Sequence, residues 1–78
     1  MDVQIIFGKV LKNLRVNRKI SQEELAFRSK LDRTYISLLE RGKRKPSLNT
    51  IYALSKALSI KPSELIREVE NEYQLDDE

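Results

Sequence analysis

Residues 31–47 read LDRTYISLLERGKRKPS, and the phase of their apolar and polar side chains decides the fold. Asp32 stands where a helix cap is expected, Arg33 to about Arg41 form the helix, and Gly42 supplies its stop. Helical phase turns Ile36 and Leu39 inward. The same helix carries Arg33, Thr34, Tyr35, Ser37 and Leu38, a mixture of charge, hydroxyls and apolar surface. The basic run Arg41, Lys43, Arg44 and Lys45 follows, closed by Pro46. Such a surface is either an ordinary solvated face or one shaped to fit the edges of bases.

On the N-terminal side, Ser21-Gln22-Glu23-Glu24 is a strong helix start. Ser21 can accept from the amide of Glu24, whose carboxylate can reach back to the Ser21 N–H. Leu25, Ala26 and Ser29 supply the inner side of this helix, which is expected to end at Ser29 or Lys30. The turn Lys30-Leu31-Asp32 then leads into the helix of the opening stretch. Two short helices joined by three or four residues, the second opening on polar side chains, follow the plan of a helix-turn-helix. An ordinary helical hairpin within a small bundle is the alternative at this point.

The flanks complete an all-α reading with five helices. Val3, Ile6, Phe7, Val10, Leu11 and Leu14 recur at helical spacing, so a first helix is expected over residues 3–17 with Asp2 as its cap. Ser47 caps a fourth helix with an inner stripe of Leu48, Ile51, Leu54, Ser55 and Leu58. Pro62 fits the first turn of a fifth, preceded by Lys61, an unusual cap. Leu65, Ile66 and Val69 continue it to about Glu72, beyond which a frayed end is expected. The organisation expected is one domain over residues 1–72 and a short acidic tail over 73–78.

Composition bounds the chemistry. The 78 residues include no cysteine and no histidine, so disulfides are excluded, and a zinc site built from carboxylates alone is not expected. No apolar run approaches the length needed to cross a bilayer, and MDVQIIFGKV lacks the basic start and long apolar stretch of a secretory signal. A soluble, cytoplasmic chain without a membrane partner is expected. Residues 1–67 hold all 15 Lys and Arg and 6 of the acids, a net of +9, whereas EVENEYQLDDE holds the other 6 acids and no base. A basic body with an acidic end suggests a polyanion partner and a tail kept away from it. Ser21 and Ser47 have cap roles and no base to activate them, which points away from an enzyme and from any cofactor.

The stretch from LRVNRKISQEELA through LERGKRKPSLNTIYALSKAL resembles the phage-repressor-like, or XRE, family of helix-turn-helix regulators. The similarity covers residues 7–66 and is carried by SQEELA, YIS and LERGKRKPSL at the family's spacing. LDRTYIS looks more particularly like the controller proteins of bacterial restriction–modification systems. The resemblance implies a compact lambda-repressor-like domain that binds double-stranded DNA. Arg33 and Thr34, then Ser37 and Leu38, match the positions that meet base edges, and Gln22 matches a glutamine that bonds phosphate and braces the recognition helix. Arg15 and Glu40 match a buried ion pair. Lys19 and Lys30 depart from the family pattern, standing where glycine usually ends a helix.

Physical chemistry supports these roles independently. An arginine at the front of a groove-bound helix can offer a bidentate fork to guanine, and a leucine can meet thymine methyl groups. Lys43, Arg44 and Lys45 suit phosphate, with Ser47 and Asn49 at the start of the next helix. Tyr35 can pack its ring between helices and extend its hydroxyl to the DNA backbone. One recognition helix reads few base pairs, so a homodimer on an inverted repeat is expected, built through Ile60, Leu65, Ile66 and Val69. By resemblance, such proteins first activate and later repress transcription, and a contact with RNA polymerase stays open. The competing readings are an antitoxin or phage-type repressor with a protein partner, and an adaptor that binds no DNA.

Overall fold

A computed structural model describes the backbone of residues 2–77 and the side chains of residues 2–75. Its helices are α1 (Val3–Asn17), α2 (Gln22–Ser29), α3 (Arg33–Glu40), α4 (Leu48–Ala57) and α5 (Pro62–Asp77). No strand occurs among the described residues, as the all-α reading requires. The expected boundaries of α1 and α2 are met. Asp2 accepts from the Gln4 amide at 2.9 Å, and Ser21 accepts from the Glu24 amide at 3.0 Å. Among the described residues, no helix is long and apolar enough to cross a membrane.

The core gathers most of the predicted inner stripes, but Val3 and Leu48, each at the start of its helix, stay exposed. Ile6, Phe7, Val10 and Leu11 of α1 meet Leu25, Ile36, Leu39, Leu54 and Leu65 from the other four helices. α1 packs on α3 and α5, α2 packs on α3 and α4, and α4 closes on α5. Gly8 permits the close crossing of α1 and α3. A Cβ there would collide with the Leu39 carbonyl oxygen and stand 2.6 Å from that of Glu40.

Four helices end by one device. Lys19, Lys30, Gly42 and Ser59 take left-handed backbone, at φ 57°, 60°, 71° and 59°. The amide that follows each one donates to a carbonyl five residues back: Ile20 to Arg15, Leu31 to Ala26, Lys43 to Leu38, Ile60 to Ser55. Ile20, Leu31 and Ile60 then pack on the core, so these ends turn inward. Lys43 is exposed, so α3 releases the chain outward into the basic loop. Lys19 and Lys30, standing where glycine was expected, therefore retain the left-handed turn. Each non-glycine residue in it costs about 1 kcal/mol or more relative to glycine.

Three local expectations need correction. Asp32 occupies the cap position of α3, but its carboxylate makes no cap hydrogen bond. The Glu24 carboxylate accepts from Arg28 at 2.8 Å instead of reaching back to Ser21. The back-reaching half of such a box occurs at α5, where the Lys61 amide donates to the Glu64 carboxylate at 2.9 Å. Finally, α5 continues past Glu72 through Asp77, because nothing after Pro62 is a glycine or proline to stop it. Most of the acidic tail is thus a continuation of helix.

Candidate nucleic-acid interface

The front of the site is aimed from behind. Arg15 donates through Nε to Glu40 at 2.7 Å and through its terminal nitrogens to Glu40 at 3.1 Å and the Ile20 carbonyl at 2.8 Å. Gln22 adds its side-chain amide to the same carboxylate at 3.0 Å. One buried carboxylate thereby joins α1, the start of α2 and the end of α3. The hydrogen bonds that Arg15 donates to Glu40 raise the pKa of its guanidinium above the ordinary value, opposed by burial and assisted by their attraction. Arg15 stays charged. The ion pair and the bracing role expected of Gln22 are both present in this geometry, and the second amide hydrogen of Gln22 remains for another acceptor.

At the front, Arg33 and Thr34 are exposed, while Ser37 and Leu38 are half-buried. Arg33 lies 3.8 Å from Glu23, a loose contact between exposed side chains. Lys43, Arg44 and Lys45 are exposed beside it, as are Ser47 and Asn49 at the start of α4. Arg44 is held 5.4 Å from the centre of the Tyr35 ring, a distance suited to a cation–π contact. Of the residues assigned to base edges and to phosphate, Arg33, Thr34, Ser37 and Leu38 lie on α3, Lys43, Arg44 and Lys45 in the loop after it, Ser47 and Asn49 at the start of α4, and Gln22 on α2.

Tyr35 has a partner within the chain. Its ring packs on the core, but its hydroxyl meets Thr50 Oγ1 at 3.2 Å. Thr50 in turn meets Ser47 Oγ at 2.9 Å, and its amide donates to the same oxygen at 3.0 Å. Thr50 is the site residue that the sequence reading missed. The cap spacing from Ser47 places it near that serine; nothing local places it near Tyr35.

The expected dimer residues divide. Leu65 is fully buried in the monomer's own core, which removes it from any partner surface. Ile60 is half-buried against that core, and Val69 is buried but borders a groove with Val3, Phe7, Ile51 and Ile66. Ile66 is exposed and also borders a second apolar groove, with Leu48, Tyr52 and Pro62. Leu48, expected on the inner stripe of α4, is instead 71% exposed, because it stands in the first turn of the helix at the rim of this groove, and Tyr52 beside it in the groove is exposed as well.

Residues 11–65 match the helix-turn-helix family, and the chain belongs to it. Within that family its relatives include restriction–modification controllers. It is 44% identical over 72 residues to control protein C.MunI of a Mycoplasma species, covering 91% of this chain and 97% of that one. The crystal structure of the controller protein C.AhdI from Aeromonas hydrophila is 48% identical, with a TM-score of 0.77 over 80% of this chain and 94% of that one. C.Esp1396I, solved as a tetramer in complex with its natural 35 base-pair operator, is 29% identical with a TM-score of 0.85. It covers 92% of this chain and 95% of that one. The protein is a helix-turn-helix regulator of the controller type.

Proposed function

We propose that this chain is a homodimeric, sequence-specific DNA-binding regulator that reads inverted-repeat operators and controls restriction–modification genes. The observation that carries the reading is the α3 front. Arg33 and Thr34 stand exposed on a helix braced by a buried ion pair, beside three exposed basic residues and the start of α4. Arg33 and Thr34 face base edges, with Ser37 and Leu38 behind them. Lys43, Arg44, Lys45, Ser47 and Asn49 take phosphate, which fixes register without reading sequence. The C.Esp1396I operator complex supports the DNA partner for a chain of this fold.

The dimer is the finer part of the proposal. The apolar grooves bordered by Ile66, Tyr52, Leu48 and Val3 suit a second copy of the chain. Two-fold pairing there sets the recognition helices about 34 Å apart, one turn of DNA. The protein acts by binding and has no catalytic role in this reading.

Selection of duplexes from a random pool, followed by footprinting, tests the whole. The expected result is an inverted repeat protected on one face of the DNA. Salt-sensitive binding without sequence preference overturns the specific-regulator reading.

A further inference from the structure

We propose that Thr50 is a positioning residue for phosphate, and that the hydroxyls of Tyr35, Thr50 and Ser47 share one outward hydrogen. The inference rests on the DNA-binding reading above. Thr50 is only 6% exposed, and its Oγ1 stands between the other two hydroxyls at 3.2 and 2.9 Å. Three hydroxyls carry three hydrogens, and the two contacts use two of them. If both outer hydroxyls donated to Thr50, its own hydrogen would be stranded in a buried place, at the cost of an unmade hydrogen bond. The chain therefore runs in one of two directions. From Tyr35 through Thr50 to Ser47, the free hydrogen is on Ser47; in the reverse direction it is on Tyr35.

A phosphate oxygen only accepts, so the chain grips phosphate at the end that holds the free hydrogen. The other end then turns a lone pair outward. Each end stands in for the other, and Thr50 is the switch between them. A side chain that merely fills space at position 50 cannot do this.

A duplex of mixed sequence at low salt is the probe, since phosphate contacts are sequence-independent. Its affinity is measured for Tyr35→Phe, Ser47→Ala and the double variant, with Thr50 intact and again with Thr50→Val. With Thr50 intact, each single change weakens binding by no more than about threefold, and the double loses about tenfold beyond their product. With Thr50→Val the outer hydroxyls act separately, and the double loss equals the product within about twofold. Thr50→Ser restores the coupling. Circular dichroism verifies folding at the measuring temperature, and Ser47→Gly, a milder cap change, replaces Ser47→Ala if the alanine variant unfolds. Product-like losses in both backgrounds, or coupling that survives Thr50→Val, overturn the shared hydrogen while leaving DNA binding intact. Absence of duplex binding by the folded wild type at low salt overturns the DNA reading and this inference together.

Discussion

At the C-terminal end of α3, Arg15 and Glu40 meet at 2.7 Å, with side chains 12% and 3% exposed. At its N-terminal end, Arg33 and Glu23 stand 3.8 Å apart, with side chains 58% and 74% exposed. The residue types are the same and the physics differs. Water screens the front pair, so little is lost when Arg33 leaves Glu23 for another acceptor. The rear pair is desolvated, and the Ile20 carbonyl and Gln22 add hydrogen bonds to it. One helix is thus fixed at its back and free at its front, as a reading surface requires.

The comparison is broken most directly at Glu40. Glu40→Ala leaves the Arg15 guanidinium buried without its partner, and about 3–5 kcal/mol of stability is expected to go. Urea unfolding measures it. A loss no larger than that of Glu23→Ala, expected within about 0.5 kcal/mol, would show that burial does not distinguish the two pairs. Next in size is Gly8→Ala, which changes no charge but forces α1 away from the carbonyls of Leu39 and Glu40. Overpacking of this kind costs about 1–3 kcal/mol, read as a lower melting temperature. An unchanged melting temperature would mean that the α1–α3 crossing relaxes freely, and that the rear of α3 is not rigid.

At the front, Arg33→Ala is expected to leave stability within about 0.5 kcal/mol while removing about 1–3 kcal/mol of preference for the selected duplex over others. Arg44→Ala acts on the same surface without reading it. It weakens most duplexes alike and lowers the slope of log affinity against log salt by about one. Competition binding at several salt concentrations separates the two variants. If both lose affinity uniformly, Arg33 is a phosphate ligand, and the front of α3 carries no base readout through it.

The rear of this arrangement was far more legible in the sequence than its front. Apolar residues at helical spacing identify α1 and the inner side of α3, because a buried stripe leaves a period behind. Ser21 and Ser47 mark their helix starts, since a cap acts on the amide three residues on. Spacing does not decide between two partners that are both in reach. Glu24 takes Arg28 over the Ser21 amide, and Asp32 holds the cap position without a cap bond. Nor does it reveal contacts made only when separate helices meet. The Tyr35 hydroxyl turns to Thr50, a residue of another helix, and Leu65 is core because α5 closes over it. Base contacts depend on a second molecule, so the residue types and exposure at the front indicate the chemistry and leave the operator to experiment.

Lys30 gives the smallest effect and the sharpest division between aim and stability. It sits at φ 60° in the turn between α2 and α3 and donates to the carbonyls of Ala26 and Phe27, while Leu31 docks on the core. Glycine adopts this backbone without the clash of a Cβ, so Lys30→Gly is expected to stabilise the fold by up to about 1 kcal/mol. The same hydrogen bonds remain, and neither arginine–glutamate pair is touched. If the buried pair and the Leu31 contact set the direction of α3, preference among duplexes stays as it was while the melting temperature rises. A shift in the selected sequence would instead place the aim of α3 in the strained turn, and the rear pair would then hold the helix without directing it.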